Sequence, residues 1–222
     1  MDWYRQLFST DETVYIDAHE SYIKQTSRNR CEIATANGKQ ILTVPVTTKG
    51  RELRGSRSSN EPAALVQGGS SRADALVQEV KVKVNVKEVL VSEHGNWRHQ
   101  HWEALKSAYG MSPFFDYYKD DIYPFFDEET FKANNWQHLF DYNLAIMRKM
   151  LDLIGAKKEI KLTSLPSTPP QGGRVVHVPV HVPVHYYQTF QRRHGFISGL
   201  SILDLLFNEG PETILYLRNN KG

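Results

Sequence analysis

The sequence predicts a single α/β domain, a mixed β-sheet from the N-terminal half packed against helices of the C-terminal half. Branched-residue runs bounded by turn residues dominate the first half. Apolar residues at helical spacing take over from Trp97. The length, 222 residues with 40% hydrophobic and 23% charged, suits one ordinary globular unit spanning 1–222.

The elements follow in order. "DWYRQLFS" fits a short amphipathic helix with Trp3, Leu7 and Phe8 facing inward. "TVYID" and "CEIAT" read as strands, and Asn37-Gly38 is the usual hairpin pair. "QILTVPV" is the partner strand, with Pro45 marking an edge or exit. The pattern then stops. Residues 48–79 are polar, rich in glycine and serine, and carry Arg51, Arg54, Arg57 and Arg72. "ALVQ" occurs at Ala64–Gln67 and again at Ala75–Gln78, as a replication slip would leave it. A flexible insertion is expected here, ahead of a phosphate site built on the arginines. "VKVKVNVKEVLV" alternates, predicting a half-exposed strand with its lysines on one face.

"WRHQHWEALKSAYG" predicts a helix stopped by Gly110. A second helix is expected with Ser112 as N-cap and Pro113 at its first position. "TFKANNWQHLFDYNLAIMRKMLDLIG" reads as the longest helix. Leu139, Phe140, Leu144, Ile146, Met147, Met150, Leu151 and Ile154 keep helical spacing up to Gly155. "EIKLT" is a further strand. Residues 166–184, in which "HVPV" occurs twice, read as an irregular low-complexity loop. "LSILDLLFNEGPETILYLR" gives two short helices broken at Gly210-Pro211.

Composition narrows the function classes. A net charge of +2 makes no electrostatic case for nucleic acid or an anionic membrane. No apolar run approaches the roughly 20 residues of a transmembrane segment. The start, "MDWYRQLFSTDE", lacks a signal peptide's features, so a cytoplasmic protein is expected. The single cysteine, Cys31, leaves no internal disulfide and no multi-cysteine zinc site. It sits within a strand, where a buried inert thiol is the commoner outcome. A P-loop, G-x-G-x-x-G and G-x-S-x-G are all missing, and the sequence leaves the cofactor unknown.

Two clusters could carry chemistry. His94, His99 and His101 invite a metal reading, but a spacing of two places His99 and His101 on different faces of a helix. His177, His181 and His185 would stand about 13 Å apart per step in an extended chain, too far for one ion. In "HESYIKQTSRNRCEI", Lys24, Arg28 and Arg30 are spaced to share one face of an extended segment. Gln25 and Asn29 add amide donors. Such a set suits a carboxylate or phosphate ligand. A solvated strand edge guarded by cations accounts for it equally well.

The same segment, "YIKQTSRNRCEI", resembles the Y-x-K-x-x-[WY]-x-N-R-x-x-I signature of the WbqC-like protein family. "HGNWRHQHWEALKSAYGMSPFFDYY", "FDYNLAIMRKMLDLIG" and "YYQTFQRRHGFISGLSILDLLFNEGPETILYL" are similar to later blocks of that family, in the same order. Ser27 stands where the family carries an aromatic residue, and the family's leading strand and turn are expected to be missing ahead of the first helix. The resemblance implies a role in bacterial O-antigen or surface-polysaccharide biosynthesis. The expected activity is a transferase, moving an acyl group such as glycyl onto an amino sugar. On that reading Lys24, Asn29 and Arg30 hold an anionic donor, with Arg28 and Tyr22 beside them. His101 is the general base, and Trp97, Trp102 and Tyr109 complete the substrate site or pack the core. The expected partner is a small molecule or sugar. The alternatives are a non-catalytic sugar- or nucleotide-binding protein of the same pathway, and a degraded family member.

Overall fold

The structure, a computed structural model, describes residues 1–8, 13–48, 84–163, 174–175 and 185–218. The expected insertion at 48–79 and the loop at 166–184 lie outside the described residues, apart from Thr48 and Arg174–Val175. The α/β class holds, with the strands divided among small sheets. Strand β1 (Val14–Ile16) runs parallel to β6 (Ile160–Leu162) on one side and β7 (Arg174–Val175) on the other. Strands β2 (Arg30–Thr35) and β3 (Gly38–Thr43) form an antiparallel hairpin, with Cys31 opposite Leu42. Strands β4 (Val46–Thr48) and β5 (Val89–Val91) form another antiparallel pair.

Local chemistry sets these boundaries. In the hairpin only Gly38 takes positive φ, +99°, and Asn37 does not. A type I turn followed by a glycine bulge therefore replaces the expected Asn-Gly turn with both residues left-handed. Pro45 falls at the corner between β3 and β4, where no ladder hydrogen bond is required of it. Residues 80–83 of the alternating valine–lysine run lie outside the described residues. Further on, the Asn85 side chain accepts from the Lys87 N–H and caps a 3-10 turn at Val86–Glu88, which interrupts the expected strand ahead of β5.

Helix α1 (Asp2–Phe8) and helix α2 (Trp97–Tyr109) form as their patterns predict. Helix α3 (Phe115–Ile122) begins later than expected. Ser112 is not its cap, because its hydroxyl is shared with Thr189, 2.8 Å away. The expected longest helix is two. Helix α4 (Glu128–Ala133) is capped by Asp127, which accepts from the Thr130 N–H at 2.8 Å and hydroxyl at 2.6 Å. Asn135 then turns left-handed at φ +54°, a conformation asparagine tolerates. Trp136 stacks on Phe125 at 4.9 Å, and helix α5 (Leu139–Leu153) starts afresh. A short α6 (Gln191–His194) precedes α7 (Ile202–Glu209) and α8 (Thr213–Arg218).

The main core gathers Leu7, Ile33, Leu105, Tyr109, Leu205 and Phe207, all wholly buried. Each such leucine or isoleucine contributes about 1.5–3 kcal/mol by leaving water. A second core around Val89, Trp97, Phe131 and Tyr142 joins it through Phe126 and Ile146. Among the described residues no helix is long and apolar enough to cross a membrane. The closing helices depend on Gly210, at φ +56°, where an added Cβ would sit 2.5 Å from the Phe114 ring. Gly210→Ala is expected to destabilise the fold by about 2–3 kcal/mol, through a strained backbone and an overfilled contact. Chemical denaturation measures this, and a change below about 0.5 kcal/mol would refute it.

Candidate functional site

Helix α2 has two working faces, because its 3.6-residue period separates side chains of opposite character. Trp97, His101, Leu105 and Tyr109 are buried against the β2–β3 hairpin and the cores. His101 is 9% exposed, and its ring donates to the Thr43 carbonyl. Burial drives its pKa down to about 4, against the weaker upward pull of that carbonyl. Its ring lies edge-on to Trp97 at 5.3 Å and to Phe126 at 6.4 Å. The Trp97 indole N–H donates to the Ser92 carbonyl at 3.1 Å.

The segment before β2 is not extended. Gln25 takes a left-handed turn at φ +59°, and the Thr26 hydroxyl donates to the Ile23 carbonyl. Lys24, Arg28 and Arg30 therefore do not share a face. Lys24 is exposed. Arg28 is engaged by Glu20 through two bonds of 2.8 and 2.6 Å. The Asn143 amide on α5 donates to the Arg28 carbonyl at 2.6 Å and fixes the loop.

What remains is a polar knot of Tyr22, Asn29 and Arg30. Asn29 is 8% exposed, and its Nδ2 donates to the Val44 carbonyl at 3.2 Å. A carbonyl can only accept, so this bond fixes the amide's orientation. Asn29 Oδ1 is then buried with no partner among the described residues. The same holds for Tyr22 Oη and Arg30 Nε. Burial raises the Tyr22 pKa, and the Arg28 and Arg30 charges pull it the other way, so both guanidiniums stand within electrostatic reach of that phenol. The side chain of half-buried Arg30 has neither an ion pair nor a hydrogen bond among the described residues, while its backbone N–H donates to the Thr26 carbonyl at 3.1 Å. It lies opposite Thr43 in the hairpin. The Thr43–Val44 backbone thus links the knot to His101.

Trp102 is on the other face of α2. It packs between Phe115 and Phe126 at 6.1 and 5.9 Å and borders a cleft of about 590 Å³. The structure therefore ties Asn29 and His101 to the neighbouring carbonyls of Val44 and Thr43, sets Arg30 opposite Thr43 and Trp97 edge-on to His101, brings the Arg28 and Arg30 charges to bear on Tyr22, and leaves Lys24 exposed and Trp102 on the cleft side of α2. His94 and His99 are exposed while His101 is buried, and His185 packs on Phe196 at 4.3 Å. Cys31 is half-buried in β2, where burial pushes its thiol up to about 11.

Tyr109 belongs to a sealed network that sequence reasoning missed. Its hydroxyl donates to Asp204 Oδ1 at 2.8 Å and accepts from the Ala34 N–H at 3.2 Å. Tyr186 donates to Asp204 Oδ2 at 2.6 Å, and Gln188 donates to the Tyr186 hydroxyl at 3.2 Å. Asp204 is wholly buried. Burial raises its pKa against the opposing pull of Tyr186, Tyr109 and Gln188. The available signal was a lone acid within the apolar run "SILDLLF".

The family model of the WbqC-like protein family matches residues 1–60 and 75–189. The chain belongs to the WbqC-like protein family. It is 26% identical to "Uncharacterized protein Rv1507c" of Mycobacterium tuberculosis, over 94% of this chain and 88% of that one. No solved structure matches. Asn29 and His101 hold successive carbonyls of Val44 and Thr43, Asn143 holds that of Arg28, and Arg30 opens β2 between them.

Proposed function

We propose that this WbqC-like protein is a transferase of bacterial surface-polysaccharide biosynthesis, moving an acyl group such as glycyl from an activated donor to an amino sugar. Arg30 carries the reading. A buried guanidinium nitrogen, Arg30 Nε, without a partner among the described residues is unfavourable unless something binds it. Arg30 Nε and Tyr22 Oη can donate to an anionic oxygen, and Asn29 Oδ1 can accept from an N–H or O–H beside it. Lys24, exposed on the same loop, supplies positive charge on the approach, while the Arg28 charge is matched by Glu20. We take the compartment to be the cytoplasm.

In the reaction the acceptor nitrogen attacks the acyl carbon and the carbon–leaving-group bond breaks. The leaving group departs with the electron pair, and the proton lost by the nitrogen passes to a base. His101 is unprotonated at neutral pH because burial has lowered its pKa to about 4. One ring nitrogen is held by Thr43, so the other is the candidate acceptor. That low basicity also favours a second reading, a non-catalytic binder of a sugar or nucleotide.

Mass spectrometry of the protein mixed with activated glycyl donors and amino sugars separates the two. A new N-acyl sugar is expected. His101→Gln, which keeps a donor for Thr43, should lower its rate by about 10²–10⁴-fold with the fold intact. Saturable ligand binding without product would establish the binder. Neither binding nor product would sink both readings.

A further inference from the structure

The cleft on the outer face of α2 belongs to neither the knot nor the Asp204 network. We propose that it is a separate saccharide-binding site, taking an uncharged or amine-bearing sugar ring. Three aromatic residues line it: Trp102, Phe126, and Tyr123, which is 43% exposed and whose ring lies 5.1 Å from that of Trp102. Sugars present apolar C–H faces that settle on such rings, while their hydroxyls need planar polar partners. The rim supplies those as charges already neutralised in pairs. Glu93 is held by Arg98 through two bonds of 2.9 Å, Glu103 by Lys106 at 2.6 Å, and Glu128 by Lys132 at 2.5 Å.

These pairs decide the ligand class. Each rim cation already faces a carboxylate, so a phosphate or nucleotide would have to displace one and meet its repulsion. A hydroxyl adds no charge and can bond to lone pairs the ion pairs leave over. Arg98 makes the arrangement rigid. It is 8% exposed, its guanidinium carbon lies 3.9 Å from the Phe131 ring centre and 4.6 Å from that of Trp97, and its fork fixes Glu93 at the rim. The buried Nε of Arg98 has no partner of its own among the described residues. Asn96 adds an amide that makes no capping bond with α2. A cleft of about 590 Å³ admits one or two sugar rings.

The test is titration of the full chain with glucose, glucosamine and N-acetylglucosamine at millimolar concentration, read by tryptophan fluorescence and ligand NMR. Saturable binding is expected for at least one sugar. Tyr123→Ala, at an exposed ring, should weaken it at least tenfold, about 1.4 kcal/mol, and Asn96→Ala should weaken it less. Arg30→Gln should leave it unchanged, so the knot and the cleft are judged independently. The proposal is overturned by no binding of any of the three, or by binding that survives Tyr123→Ala in a protein whose circular dichroism matches wild type. Binding lost instead in Arg30→Gln would move the sugar to the knot and overturn it equally.

Discussion

Asp204→Ala is expected to lower stability by about 3–5 kcal/mol, a loss large enough to unfold many single domains. The change empties a wholly buried position and strands two phenol hydroxyls, those of Tyr109 and Tyr186. Removing the desolvated carboxylate offsets part of this, but the two orphaned donors and the cavity dominate. Denaturant unfolding measures the loss, and a value near 1 kcal/mol would show that the network is weak. The carboxylate also leaves a pH signature. Its folded pKa is raised above the ordinary 3.8, so the folded state holds the proton more tightly than the unfolded chain. That contribution is full below pH 3.8 and disappears as pH rises through the folded pKa. Asp204→Asn should flatten this descent. An unchanged stability–pH curve would contradict it.

Arg30→Met is expected to move stability and affinity in opposite directions. Without ligand, Arg30 Nε is buried and unpaired among the described residues. An apolar side chain of similar length should therefore raise stability by about 0.5–1 kcal/mol. Anionic-donor binding should fall by about 10- to 100-fold, the loss of a charged hydrogen bond worth about 1.5–3 kcal/mol. Thermal shift with and without donor reads both effects in one experiment. A variant that loses stability together with affinity would mean that Arg30 holds the fold rather than a ligand.

The sequence made some elements legible and hid others for physical reasons. The hairpin, α2 and the Gly210-Pro211 break follow local rules, since branched residues, helical spacing and turn residues act over short distances. The split between α4 and α5 was hidden because the apolar period runs through Asn134-Asn135, whose left-handed turn is stabilised by Trp136 stacking on Phe125. The Lys24–Arg30 segment failed as an extended reading because the Gln25 turn and the Glu20–Arg28 pair reorganise it. Asn29 and Arg30 were legible as polar residues near a strand start, yet only the folded chain shows which of their atoms lack partners. The Asp204 network was the least legible, because it depends on four distant segments at once.

That distance has a kinetic consequence. Tyr109 meets Asp204 across 95 residues of chain and Ala34 across 75. Contacts that close such long loops form late, after the entropy of ordering the chain has been overcome. The carboxylate then acts as a latch on a structure already assembled, and its loss should appear as faster unfolding at a nearly constant refolding rate. Stopped-flow chevrons of Asp204→Ala decide this, since slower refolding would place the network in the folding nucleus. On this account a single buried acid sets how long the molecule stays folded and has little say in how quickly it folds.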